Sequence, residues 1–176
     1  LPVLGMTAHA LARDRAQCLE AGMSAVVVKP FDPEALFAEI ARHLPGAPAV
    51  APPGPAPAGG EAAAAAVSFE LGLHRCLGRH DLYLRVVRRF LDTRRDDADK
   101  LRGAHRRGDD AAIAHLAHTT ISTAGTIGAA ALSEIAAHLQ EGLRADSRDA
   151  LPALVDAFAS AHARVVDELA AFLAKA

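Results

Sequence analysis

The chain has 176 residues, of which 19 are Lys or Arg and 21 are Asp or Glu, and its formal net charge is −2 at pH 7. This length allows one or two modest domains and excludes a single large enzyme fold. Near-neutral charge, one Tyr and no Trp exclude the basic surface and the aromatic stacking platforms of a nucleic-acid-binding protein. The apolar tract from Ala62 to Val67 is far shorter than the roughly 20 residues that span a bilayer, so we expect no direct membrane contact.

The two cysteines, Cys18 and Cys76, lie far apart and match no metal or disulfide spacing. Unpaired thiols are typical of a reducing compartment, so the sequence favours a cytoplasmic location. The chain begins without Met and without a signal-peptide pattern, and its first residues read as the middle of a domain. We therefore expect a fragment of a longer protein, whose upstream segments are the place for any membrane anchor.

Residues 1–44 alternate between strand and helix patterns. The apolar run PVLGMT precedes a helical pattern that stops at Gly22, and the β-branched run AVVVK precedes a second helix with Asp32 as N-cap and Pro33 in its first turn. Continuous apolar strands separated by helices predict a parallel sheet, but two strands are too few to complete one. We expect an incomplete β-α-β-α unit that is marginally stable alone.

Residues 45–67 form a Pro/Ala/Gly-rich segment without apolar periodicity. Six of the ten prolines fall between Pro45 and Pro57, which predicts an extended, flexible linker. Beyond it, residues 68–176 have helical periodicity, with amphipathic segments at 80–108, 110–125, 130–143 and about 151–169. A break is predicted at Gly125 to Gly128. Four such helices with short connections predict a mainly α fold, an antiparallel four-helix bundle.

Among nine histidines, His118 differs because it follows Leu116 and Ala117 at the border of a predicted core stripe. A neutral imidazole is a nucleophile near neutral pH, and phosphoryl transfer needs little beyond in-line positioning and charge neutralisation. His115 lies one turn away, but no third ligand for a shared metal is evident, and none is predicted. From spacing alone a phosphoryl acceptor, a metal ligand and a residue without a role all remain open.

The segment LAHTTISTAGTIGAAALSEIAAHLQ resembles the signature of the histidine-containing phosphotransfer (HPt) domain. That family is a four-helix bundle that passes phosphoryl groups to and from receiver aspartates, and the resemblance extends over roughly residues 68–176. It implies that His118 is the phosphoryl acceptor. It also implies that Gln140, on the following helix, hydrogen-bonds the imidazole and orients it, so that the other ring nitrogen attacks.

The sequence departs from this family pattern just after the histidine. Where the family usually has Leu, Lys and Gly, this chain has Thr120, Ile121 and Ser122. We expect Ile121, Ser122 and His115 beside the phosphoryl site, and weakened transfer because Ile121 brings no positive charge.

The arginine-rich stretch from Arg85 to Arg107, interleaved with aspartates, is interpreted as a solvated helix face, with docking as the less favoured alternative.

The segment PVLGMTAHALARDRAQCLEAGMSAVVVKPF resembles the second half of a response-regulator receiver domain, a flavodoxin-like α/β fold. The resemblance implies that Thr7 binds a phosphoryl oxygen, that Lys29 pairs with the same group, and that the bond from Lys29 to Pro30 is cis. Val26 replaces the aromatic switch residue of the family. The phosphorylatable Asp and the acidic metal-binding pair would precede Leu1, so we expect no phosphorylation of this part.

Receiver half, linker and HPt domain in this order resemble the C-terminal end of a hybrid sensor histidine kinase. The predicted function is phosphorelay signalling, in which His118 takes a phosphoryl group from a receiver aspartate and passes it to a downstream regulator. The predicted partners are receiver domains, with Mg²⁺ on the complete receiver and no cofactor here; without an ATP-binding domain, enzyme status stays open. The alternatives are a degenerate HPt domain that docks receivers without phosphotransfer, and a purely structural bundle.

Overall fold

The computed structural model describes residues 2–7, 12–28, 33–44, 65–144 and 148–176. The chain divides into two compact units, Leu1–Gly60 and Glu61–Ala176. Most of the predicted linker, residues 45–64, lies outside the described residues. Its last residue, Val67, is only 2% exposed and belongs to the core of the second unit. The helical unit therefore begins before the predicted boundary at residue 68.

The first unit has the predicted β-α-β-α order. Its elements are strand β1 (Leu4–Thr7), helix α1 (Ala12–Glu20), strand β2 (Ala25–Val28) and helix α2 (Pro33–Arg42). The two strands pair in parallel, with Leu4 opposite Ala25 and Thr7 opposite Val28. This pairing confirms the predicted parallel arrangement. Several large apolar side chains of the unit remain exposed, namely Val3, Met6, Leu19, Phe37 and Leu44.

In the described residues of the second unit, every secondary-structure element is a helix. It comprises α3 (Phe69–Arg75), α4 (His80–Arg94), α5 (Asp97–Arg107), α6 (Asp110–Ile127), α7 (Ala130–Arg144) and α8 (Leu151–Leu173), with a 3₁₀ turn at Arg148–Ala150. Side chains from these helices share one apolar core, centred on residues such as Val87, Leu101, Ile113, Leu132 and Phe158. Nowhere in the described ranges is a helix long and apolar enough to cross a membrane.

The prediction of one continuous helix over residues 80–108 is wrong, because the structure has two helices there, α4 and α5. At the break, the Nε2 atom of His162 lies 2.9 Å from the carbonyl oxygen of Arg94. The adjacent Asp97 is 2% exposed and pairs with Arg94 at 3.3 Å and with Lys100 at 3.0 Å. The end of α4 thus bonds to α8 and to a buried carboxylate instead of continuing the helix. With α3 added, the described part of this unit has six α-helices where four were predicted.

Helices α6 and α7 pack side by side in opposite directions across a two-residue connection. The side chain of Asp109 caps α6 by accepting from the Ala112 amide at 3.0 Å. The helix ends at Gly128, whose φ of +90° is left-handed and suits glycine. Gly125 lies inside the helix, so the break predicted at Gly125 to Gly128 begins only at Gly128. The Ser133 hydroxyl of α7 donates to the Ile121 carbonyl of α6 at 2.8 Å.

Residues of α3 and α4 hold the end of α6 in place. The amide of Ser68 donates to the carbonyl of Gly128 at 3.0 Å, and the buried hydroxyl of Tyr83 donates to the carbonyl of Ile127 at 2.9 Å. Burial raises the pKa of this phenol, so Tyr83 stays protonated as a donor. The side chain of Arg75 donates to the Gly125 carbonyl. The bonds to Ile127 and Gly128 satisfy carbonyl groups that a helix end otherwise leaves unpaired, while the bond from Arg75 adds to the one that Gly125 accepts from the Gly128 amide.

The beginning and the end of the helical unit are joined to each other. The carboxylate of Glu168, on α8, accepts from the amides of Ala66 at 2.7 Å and Val67 at 3.0 Å. The rings of Phe69 and Phe172 stack with their centroids 4.4 Å apart. Residues about a hundred positions apart in the sequence are thereby fixed together.

Candidate functional site

His118 lies in the middle of α6 with its side chain exposed. The residues around it on the inner side of the helix, Ala117 and Thr120, are buried in the unit. The backbone that carries the imidazole is therefore fixed by core packing, while the ring itself faces solvent. A ring presented in this way is accessible to a reacting group on another molecule.

Gln140 lies behind this ring, on α7. Its side chain is 8% exposed, and its Nε2 atom lies 3.5 Å from Nδ1 of His118, which is the upper limit of a hydrogen bond. The Oε1 atom of the same amide is buried and has no partner among the residues that the structure describes. Rotating the amide by 180° exchanges its oxygen and nitrogen. Gln140 can therefore hold Nδ1 either as a donor or as an acceptor.

Three neighbours of His118 were predicted to surround the phosphoryl group, and the structure corrects one of them. His115 is exposed one turn before His118, and Ser122 is partly exposed one turn after it. Ile121 is only 4% exposed and lies in the core, where α6 packs against α7. Its side chain is therefore not part of the surface beside the imidazole. The exposed face of α6 here consists of small and polar groups.

A cleft of about 520 Å³ lies between α4 and α6, and Ser122 is one of the residues that line it. Arg85, Arg89, Thr93 and Arg94 line its α4 side, Ser122, Thr123 and Thr126 line its α6 side, and Val86, Phe90 and Ile127 complete it. The sequence interpretation of these arginines as a solvated face missed this cleft. The available signal was the spacing of four residues between Arg85 and Arg89, matched by the same spacing between Ser122 and Thr126 on α6.

Of the predicted receiver residues, the structure places only Thr7 and Val26. Thr7 ends β1 and is partly buried, and Val26 is buried in β2. Lys29 and Pro30 lie outside the described residues. Across the described ranges, no group of three His, Cys, Asp or Glu side chains is arranged to hold a metal ion.

This fold and this exposed histidine define a class of protein. The family model described as "Hpt domain" matches residues 85–174, which is just over half of the chain. The chain therefore belongs to the Hpt domain family, and it acts in phosphorelay signalling. Gly128 and Gln140 both fall within the matched range.

A solved structure supports the fold. The chain is similar to histidine-containing phosphotransfer protein B (HptB) from Pseudomonas aeruginosa PAO1, with a TM-score of 0.57 and 20% sequence identity. The similarity covers 64% of this chain and 98% of HptB. At this identity the likeness establishes a shared helical fold for the second unit.

Proposed function

We propose that His118 accepts a phosphoryl group from the aspartyl phosphate of a receiver domain and passes it to the receiver of a downstream regulator. The observation that carries this proposal is the exposed imidazole on a core-fixed helix, with the buried amide of Gln140 beside its Nδ1 atom. Preorganised positioning of the nucleophile is the main requirement of phosphoryl transfer.

In this proposal the carbonyl oxygen of Gln140 accepts a hydrogen bond from the protonated Nδ1 of His118. That tautomer leaves the lone pair of Nε2 free and directed outward. Nε2 attacks the phosphorus, so that an N–P bond forms while the P–O bond to the aspartate breaks and the carboxylate leaves. Mg²⁺ on the complete receiver would neutralise charge on the phosphoryl oxygens, and the transfer to the next aspartate would be the reverse of this step.

We propose that the first unit is the second half of a receiver domain and that the two units are cytoplasmic parts of a hybrid sensor histidine kinase. The parallel β1–β2 pair and the β-α-β-α order support this assignment. A linker over residues 45–64 would keep the HPt domain at a raised local concentration near its own receiver and leave it free to meet a second one.

Labelling of His118 tests the proposed acceptor. Incubation with a phosphorylated receiver domain, or with phosphoramidate as a small donor, is expected to give an acid-labile, base-stable label that His118→Gln abolishes. His138→Gln is the matched control, because His138 is exposed on the neighbouring helix α7. A label that survives in His118→Gln, or no label from any donor, would contradict the proposal.

The role of Gln140 is tested with the same donors. Gln140→Leu removes the amide and places an apolar side chain of similar size in the buried position. Loss of one hydrogen bond, about 1 kcal/mol, is expected to slow labelling about fivefold. An unchanged labelling rate in a folded Gln140→Leu variant would show that the amide does not orient the ring.

A chain that binds receivers but is never labelled at His118 would instead be a degenerate docking domain.

A further inference from the structure

The cleft between α4 and α6 is lined by arginines of one helix and by residues of the other that follow His118 in the chain. Ser122, which lines the cleft, follows His118 by one helical turn, about 6 Å along α6. Arg85, Arg89 and Arg94 line the opposite side. The buried Ile121 contributes no charge on α6, so the cations nearest to Ser122 in this cleft are those of α4.

The arginines of the cleft differ in how far their charge is already neutralised. Arg94 is bound to the buried Asp97 at 3.3 Å, and Arg85 lies 3.6 Å from the exposed carboxylate of Asp81. Arg89 is exposed and forms no ion pair within the described parts of the chain. Of the three arginines, Arg89 is therefore the one whose charge is left for a carboxylate of a partner to neutralise.

The hydroxyl groups on the opposite wall add polarity without adding negative charge. Thr123 and Thr126 donate back to carbonyls of their own helix, at 3.0 Å to Thr119 and 2.8 Å to Ser122. Val86, Phe90 and Ile127 supply the apolar surface of the cleft. A cationic and hydroxyl-lined cleft with an apolar base fits a protein surface that presents carboxylates beside apolar side chains.

We propose that this cleft is the docking site for the acidic edge of a receiver domain, with Arg89 as its principal anchor. The inference rests on the proposed function, because a receiver that delivers a phosphoryl group to His118 must cover the surface one turn away. Its phosphorylatable aspartate and metal-binding acids face His118 during transfer, so the carboxylates that meet the cleft are those of the acidic rim around that site. The charge of the cleft is complementary to that rim, which favours a receiver over a neutral or basic partner.

Equilibrium binding tests the docking site independently of phosphotransfer. The probe is a complete receiver domain carrying beryllofluoride on its aspartate, titrated against the full chain. Arg89→Glu is expected to raise Kd at least tenfold, and Arg89→Lys to raise it less than threefold because the charge is kept. The binding of the unaltered chain is expected to weaken with added salt more steeply than that of Arg89→Glu.

Arg106→Glu is the matched control, since Arg106 is exposed on α5 and lines a separate cleft toward α8. It is expected to leave Kd within twofold. An unchanged Kd in Arg89→Glu, or an equal loss in Arg106→Glu, would overturn the docking site. Phosphoramidate labelling of His118 in Arg89→Glu is expected at the rate of the unaltered chain. If that label is missing from every variant and from the unaltered chain, the proposed function fails, while the Kd values still decide the docking site.

Discussion

At the scale of single residues, the buried His162 couples the stability of the bundle to pH. Its ring lies between Phe158 and Phe90, with centroid distances of 5.8 Å and 6.3 Å. Burial lowers the pKa of His162 below its ordinary value of 6.5, outweighing the bond to Arg94 and the nearby aspartates, which raise it. The folded state therefore holds this imidazole neutral at pH values where the unfolded chain protonates it.

Acidification is thus expected to destabilise the helical unit through His162. The contribution of this residue is complete above pH 6.5 and is lost as the pH falls toward the folded pKa, at up to about 1.4 kcal/mol per pH unit. Urea unfolding at pH 7.5 and 5.5 should show a larger loss for the unaltered chain than for His162→Gln. His138→Gln, altered at an exposed position, should lose as much as the unaltered chain. Equal losses in all three would contradict the coupling.

The candidate site shows which functional residues can be identified from the sequence and which contacts require the structure. His118 and Gln140 were identified from a motif, and the structure brings their side chains to 3.5 Å. The burial of Ile121 was not foreseen, because a motif gives the order of residues but not which side of a helix packs against its neighbour. The presence of Arg89 and Ser122 in one cleft depends on how α4 packs on α6, and no local pattern encodes that packing.

At the scale of elements, the junction between α6 and α7 depends on a glycine that is confined as well as left-handed. A Cβ atom at Gly128 would lie 2.1 Å from the carbonyl oxygen of Ser68. Gly108, at the end of α5, has a similar φ of +66°, yet a Cβ atom there would have no heavy atom of another described residue within 4 Å. The two positions separate the cost of the backbone conformation from the cost of the close approach.

Alanine substitutions at these two positions are expected to differ in their effect on stability. Gly108→Ala should lower the free energy of unfolding by about 1 kcal/mol through its backbone conformation alone. Gly128→Ala should lower it by about 2–4 kcal/mol, because the displacement of Ser68 is added. Chemical denaturation of both variants measures the difference. Equal losses would mean that the contact between α3 and the end of α6 is readily displaced.

The elements themselves were only partly predictable. Apolar periodicity located the helical regions, and glycine located the end of α6. The break between α4 and α5 contains neither Gly nor Pro, so its local sequence favours a continuous helix. It arises from tertiary contacts, namely the approach of His162 to the Arg94 carbonyl and the burial of Asp97.

At the scale of the whole molecule, the two units differ in how completely they bury their apolar residues. In its described residues, the first unit has a two-stranded sheet and leaves large side chains such as Phe37 and Met6 about half exposed. The second unit buries a shared core from all its helices. A sheet of two strands is marginally stable in water. Strand order and pairing followed from the sequence, since alternating strands and helices require parallel strands.

Amide hydrogen exchange is expected to report this difference. Amides of β1 and β2 should exchange rapidly, with little protection beyond that of an unfolded peptide, because few buried contacts oppose local opening. Amides of Ala117, Ala124 and Leu139, in the core of the helical unit, should be protected by the full free energy of unfolding of that unit. Strong protection in β1 and β2 would show that the first unit is stable in isolation.

The bonds between Glu168 and the amides of Ala66 and Val67 also decide where anything attached to the bundle emerges. Because Ser68 bonds to Gly128, both ends of the bundle meet beside the last turn of α6. His118 lies ten residues earlier in that helix, about 15 Å away along its axis. A purification tag or a carrier protein fused at either end therefore starts from the same corner, at a distance from the imidazole, and a fluorophore placed there would report on a bound receiver without covering the ring.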